Sequence, residues 1–178
     1  MTSARLEPSD RSALGVVVAL PPALEAVRRR NIPDAAAGIP AHMTLLFPFA
    51  EPAAIDESVR RLVAATVARH PACSVTLDGP RIWPDTIYAG VEPAEPLTAL
   101  QAALAAAFPT LPVYGGGFDF VPHVTISPRP AMDDAGVVAN PAWAELPIAM
   151  TVAEVDLFVR GDDGHWRSMH RFLLGEGA

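Results

Sequence analysis

Apolar side chains recur along this chain in two rhythms, a near-continuous or alternating one that suits strands and a three-to-four-residue one that suits helices. Residues 13–20 are almost wholly apolar and predict a buried strand. Pro22 opens a short helix through Arg30, with Arg28, Arg29 and Arg30 in the last turn, where cations suit the helix dipole. A second strand is predicted over 42–49. From Pro52 onward, Ile55, Val59, Leu62, Val63 and Val67 fall on one helical face, with Asp56 and Glu57 near its start and Arg69, His70 and Pro71 at its end. Cys73, Val75 and Leu77 alternate with polar residues as a half-exposed strand does, and 86–91 predicts another. Pro96 opens a third helix carrying Leu97, Leu100, Leu104 and Phe108 on one face. A glycine run at Gly115, Gly116 and Gly117 precedes a strand over 121–127. The stretch 129–145 reads as a loop with one helical turn. Strands over 148–159 and 166–174 close the chain, joined by a turn at Asp162, Asp163 and Gly164.

Helices and strands are interleaved without the uniform crossovers of a doubly wound sheet, so the fold class is α+β. The 178 residues fit one domain, spanning 1–178, and the elements divide evenly about residue 90 into two similar lobes. A hydrophobic share of 51% excludes a disordered chain, and the 19 prolines punctuate elements singly or in pairs. The lone Cys73 excludes an internal disulfide and a cysteine-rich zinc site; it points to a reducing cytoplasm and to a small packed residue. The early apolar run 14–20 is too short to cross a membrane, and no targeting segment is legible. A net charge of -7 argues against wrapping long nucleic acid, though not against holding one phosphate locally.

Chemistry enters with a repeated local pattern. The first copy is Pro40-Ala41-His42-Met43-Thr44-Leu45; the second is Pro122-His123-Val124-Thr125-Ile126. Five histidines and nine threonines placed at random would give about 0.25 His-x-Thr triplets in a chain of this length, so two at strand starts beside prolines stand out. In a strand, residues i and i+2 share a face. His42 and Thr44 therefore point one way and Met43 the other, and likewise His123, Thr125 and Val124. Two such strands facing each other place two imidazoles and two hydroxyls around one cavity, where the imidazoles supply a proton acceptor and a proton donor and the hydroxyls supply hydrogen bonds to phosphate oxygens. Such a set cleaves a phosphodiester without a metal or a cofactor. A metal site would need a third ligand, and no compact His/Asp/Glu cluster provides one.

The paired motifs resemble those of the two-histidine (2H) phosphoesterase superfamily, which includes 2′-5′ RNA ligase-like proteins and 2′,3′-cyclic nucleotide phosphodiesterases. The segment from Phe118 to Thr125 is similar to the family form Phe-x-x-Pro-His-x-Thr, with the aromatic Phe120 one place nearer. The resemblance implies a bilobal fold, two pseudo-symmetric lobes each with an antiparallel sheet and flanking helices, and an active-site cleft between them. It implies His42 and His123 as the acid–base pair and Thr44 and Thr125 as substrate-binding residues. It also implies cleavage of a 2′,3′-cyclic phosphate, typically to a 2′-phosphate, or reversible 2′-5′ joining, on an RNA end or a small cyclic nucleotide. Two departures stand out. Phe47-Pro48-Phe49 replaces the Leu-Gly pair that follows the first motif in many ligase-like members, and Ser127-Pro128 separates Thr125 from Arg129, so a phosphate-binding role is not carried over to Arg129.

Other candidates have plainer readings. His70 ends a helix, and His165 and His170 flank Trp166 in the closing strands. The glycine run is no Walker loop; it reads first as a flexible connection, and otherwise as a loop closing on substrate with Tyr114 or Phe118 stacking on a base. Trp83 and Tyr88 read first as core packing, with stacking from the first lobe the alternative, and Arg81 as a solvated strand-end arginine, with a phosphate contact the alternative. The expectation is a monomeric cytoplasmic enzyme. Competing readings are a nucleotide or RNA-end binding module with little turnover, and a phosphodiesterase acting on a cyclic phosphate of ADP-ribose.

Overall fold

Strand β1 (Pro8–Ser9) leads into β2 (Ser12–Val17), helices α1 (Pro22–Asn31) and α2 (Pro33–Ala36), β3 (His42–Leu46) and β4 (Phe49–Ala50). Helix α3 (Glu57–Val67), β5 (Cys73–Ile82), β6 (Thr86–Glu92) and α4 (Glu95–Ala107) follow, then β7 (His123–Pro128) and α5 (Asp134–Val138). Strands β8 (Ile148–Val152), β9 (Glu154–Arg160) and β10 (Trp166–Leu173) complete the chain. The computed structural model describes residues 6–111, 119–129 and 133–175. The glycine run and its neighbours Tyr114 and Phe118 lie outside the described residues.

Eight strands form one sheet in the order β10-β9-β2-β3-β7-β6-β5-β8, and every pairing in it is antiparallel. Its two halves mirror each other in connection. One centres on β2-α1-β3 and the other on β6-α4-β7, and they join where β3 pairs β7 with Met43 opposite Val124. Each helix reaches across the seam: α1 packs on β7 and α4 on β3. Leu24, Val27, Leu97, Leu100 and Leu104 thereby share one buried cluster with Met43 and Val124. The two halves of the sheet meet in this shared cluster.

The sheet is curled, and the chain shows why. Val152 ends β8 at one edge, and Glu154 begins β9, next to the opposite edge. Two residues of chain span at most about 7 Å, so the edges must approach each other there. The strand expected over 148–159 is therefore two strands, broken at Ala153, and they serve opposite halves of the sheet. A continuous apolar run cannot reveal such a switch, because both pieces bury side chains.

Two other expectations shift. The helix expected from Pro52 starts at Glu57, after a single 3-10 turn over Pro52–Ala54. The Asp56 carboxylate accepts from the backbone N–H of Ser58 at 2.8 Å and of Val59 at 3.0 Å, and this N-cap outranks the proline as the start signal. Leu62, expected on the buried face, is 43% exposed. The described part of 129–145 holds α5 and a 3-10 turn over Pro141–Glu145 rather than one helical turn, because Asp133 and Asn140 cap them in succession.

Candidate active site

Because β3 and β7 run antiparallel with Met43 opposite Val124, His42 lies beside Thr125 and Thr44 beside His123. All four motif side chains project from the face opposite the Met43 and Val124 core. Met43 and Val124 are fully buried, while the four motif residues are partly exposed. The motif strands stand side by side at the centre of the sheet, and the cleft opens above them.

Each histidine is anchored the same way. His42 Nδ1 lies 2.8 Å from the carbonyl of Pro40, and His123 Nδ1 lies 2.8 Å from the carbonyl of Val121. A carbonyl only accepts, so each Nδ1 carries the hydrogen and each Nε2 is left for the cleft. Neither threonine hydroxyl has a partner among the described residues, so both can turn to an incoming oxygen. Gly15 in β2 gives the first ring room: a Cβ there would meet the Met43 carbonyl at 2.8 Å and the His42 ring at 3.2 Å.

The rings then pack on different neighbours. His42 sits 5.2 Å from the ring of Phe158, whereas His123 meets Trp83 edge-on at 4.7 Å and Tyr88 at 5.5 Å. Two cavities share Thr44, Phe47 and Thr125. A small one of about 210 Å³ lies over His42 and is walled by Arg28, Asp34, Ile39 and Trp166. A larger one of about 940 Å³ lies over His123 and is walled by Trp83, Pro84, Asp85, Asp119 and Val121.

Trp83 lines the larger cavity, with Tyr88 buried behind it at 4.0 Å. Arg129 braces that turn: its backbone N–H reaches Asp85 O at 2.8 Å and its guanidinium reaches Trp83 O at 2.9 Å and Asp134 at 3.0 Å. Arg81 lines neither cavity and pairs with Asp78 and Glu92. His165 and His170 are exposed and stand apart from both cavities.

Arg28 and Phe47 are among the cavity-lining residues that sequence reasoning missed. Arg28 reads as one of three helix-end cations, yet it is 2% exposed while Arg29 and Arg30 face solvent. Its spacing from Leu24 and Val27 puts it on the buried face of α1, a signal that was available in the sequence. Among the described residues, no group of three or more His, Cys, Asp or Glu is arranged to hold a metal ion. No helix among them is long and apolar enough to cross a membrane.

Burial lowers the proton affinity of both rings. His42 falls to about 4, chiefly by loss of hydration; Arg28 and His123 push the same way, while the Pro40 hydrogen bond and Asp34 oppose it. His123 is also lowered by burial, against its bond to Val121. A histidine that resists protonation only when folded makes the unfolded chain bind more protons between about pH 6.5 and 4. Stability contributed by neutral His42 is complete above the unfolded value near 6.5 and is lost as pH falls toward 4, by about 3 kcal/mol in all. Urea unfolding of wild type and His42→Gln at pH 7.5 and 4.5 checks this. The wild type should lose more stability on acidification, and an equal loss in both would reject the linkage.

A model of the 2′-5′ RNA ligase superfamily matches residues 16–164. No curated protein sequence matches the chain. Among solved structures, E. coli LigT complexed with 3′-AMP superposes with a TM-score of 0.61 at 21% identity, covering 94% of this chain and 99% of LigT. LigT has also been solved with NADP+ and with ATP. A structure described as a phosphoesterase gives 0.59 at 21% identity, covering 96% of this chain and all of its own. TT0787 of Thermus thermophilus gives 0.59 at 16% identity, covering 94% of this chain and all of its own. At these identities the likeness speaks for the fold, a curled antiparallel sheet with helices.

Proposed function

Since the chain belongs to the 2′-5′ RNA ligase superfamily, we propose that it is a metal-independent phosphoesterase that opens 2′,3′-cyclic phosphates, at RNA ends or on small nucleotides. His42 and His123 are its acid–base pair, and Thr44 and Thr125 hold the phosphate. The observation that carries this reading is the adjacency of the two His-x-Thr strands, with both Nδ1 atoms tied to carbonyls at 2.8 Å. That anchor frees each Nε2 for proton transfer.

The chemistry follows from the arrangement. Water attacks phosphorus while one Nε2 takes its proton. The bond from phosphorus to a ribose oxygen breaks, and the other Nε2 protonates that oxygen. Charge gathers on the non-bridging oxygens between Thr44 and Thr125, whose hydroxyls donate to them. With a ribose 5′-hydroxyl in place of water the same steps join a 2′-5′ linkage: the hydroxyl gives its proton to one Nε2 and attacks phosphorus, the bond to the 3′ oxygen breaks, and the other Nε2 protonates that oxygen. Read backwards, they cut the linkage and re-form the cyclic phosphate. The larger cavity offers Trp83 to a base, and LigT's capture of 3′-AMP, NADP+ and ATP supports a small nucleotide as the ligand class.

The test is hydrolysis of 2′,3′-cyclic nucleotides in excess EDTA, with product analysis. Turnover that persists in the chelator and yields a 2′-phosphate is the expected result. Turnover abolished by EDTA and restored by a divalent metal would overturn the metal-free mechanism. Tight binding of the nucleotide with no change over hours would favour a binding module.

A further inference from the structure

The two histidines are anchored alike, but among the described residues only one anchor is itself held by a cation. Arg28 is 2% exposed, and a guanidinium keeps its charge, so its burial requires partners. It finds Glu25 at 3.2 Å, the Ile39 carbonyl at 3.2 and 3.3 Å, and the Pro40 carbonyl at 3.0 Å. The Pro40 carbonyl is also the one that accepts His42 Nδ1 at 2.8 Å. One oxygen thus joins guanidinium and imidazole. Among the described residues no cation shares the Val121 carbonyl, and the His123 ring packs on Trp83 and Tyr88 instead.

We propose that Arg28 is a positioning residue for His42, fixing the carbonyl that orients the ring and setting a permanent positive charge beside it, so that His42 accepts the proton from water and His123 donates one to the leaving ribose oxygen. The inference rests on the two-histidine reading and adds a direction to it. A cation sharing the acceptor draws on the same lone pairs and disfavours imidazolium, while leaving the neutral ring, with its free Nε2, unaffected. The surroundings agree. Strands β2, β9 and β10 face the ring or its cavity with Gly15, Phe158 and Trp166. Asp156 on β9 is engaged by Ser168 and by Arg171 at 3.4 Å. His123 on β7 adds to the repulsion when charged. Asp34 on α2 opposes it, but lies 3.9 Å from Arg160, and Glu25 spends its charge on Arg28.

In the chemical step the bond from the water oxygen to phosphorus forms and the bond from phosphorus to the ribose oxygen breaks. The water proton moves to His42 Nε2 and the His123 proton goes to the ribose oxygen; His42 then gives its proton to solvent and His123 takes one from it, which restores both rings.

The experiment compares kcat/KM against pH for wild type, Arg28→Met and Arg28→Lys on a 2′,3′-cyclic nucleotide, together with the imidazole titration of His42 by NMR. Arg28→Met should move the acid limb and the His42 titration upward together by about 1 unit, and so lose activity at low pH. Arg28→Lys keeps the charge and should restore the limb, though not the full rate, because it lacks the fork that spans two carbonyls. If His42 were the donor, Arg28→Met would raise activity, since more of the ring would carry a proton. That gain, or an unmoved His42 titration, would overturn the proposal. Should Arg28→Met fail to fold, Glu25→Gln serves: stripping the countercharge from Arg28 should move the limb downward, and no movement or an upward one counts against the idea. Failure of the two-histidine reading looks different, because His42→Ala and His123→Ala would then keep wild-type turnover.

Discussion

His42→Ala and His123→Ala should each lower kcat on a 2′,3′-cyclic nucleotide by roughly 10²–10⁴-fold, the usual worth of a positioned acid or base. Both rings are held at 2.8 Å by a backbone carbonyl, so each deletion removes one proton-transfer group from a scaffold that otherwise persists. The two act in one concerted step. The double variant should therefore fall only a few-fold below the slower single variant, not by the product of the two losses. Thr44→Val and Thr125→Val remove a donor to the phosphate oxygens but keep strand shape, and a loss of about 10²-fold in each is the size expected of one such donor. Steady-state kinetics on the five variants decides it. Multiplicative losses in the double variant would mean that the histidines act in separate steps. A threonine variant as damaged as a histidine variant would move the chemistry away from the imidazoles.

How much of this site could be read beforehand depends on whether its signal is local. The His-x-Thr pairs were legible because a strand puts i and i+2 on one face whatever surrounds it. Pairing of the two motifs, with Met43 opposite Val124, is a tertiary fact; the repeat suggests two strands facing each other around a cavity, whereas they stand side by side as neighbours in one sheet. The α+β class followed from the order of periodic segments. The break at Ala153 did not, since Ile148–Val152 and Glu154–Arg160 are both strand-like and only the curl of the sheet separates them. The start of α3 was misplaced because Pro52 is the more conspicuous signal, though Asp56 supplies the hydrogen bonds. Arg28 was lost in a basic triplet whose members look alike in composition. They differ in position, and the helical period alone sends one of them inward.

The same geometry makes the seam between the halves the place where packing and chemistry meet, and Met43→Ala should show it. Met43 is fully buried between His42 and Thr44 in β3, with Val124 as its partner across the only pairing that joins the two halves of the sheet among the described residues. Helices α1 and α4 both lay apolar side chains into the cluster that it shares. Truncation there removes three heavy atoms from a site with little freedom to collapse, so a loss of about 2–5 kcal/mol is expected. For a domain of this size each kcal/mol moves Tm by about 2–4 °C, which puts the fall near 10 °C. Met169→Ala is the control: Met169 is 61% exposed on β10, and its loss should change stability by less than about 0.5 kcal/mol. Thermal and urea unfolding of both variants measures the difference. Because the backbone of β3 also carries His42 and Thr44, activity in Met43→Ala should fall with loosening of the seam even at temperatures where the protein stays folded. Full activity in a variant destabilised by several kcal/mol would show that the motif strands hold their register without the core beneath them, and that the helices crossing the seam suffice to align the two halves.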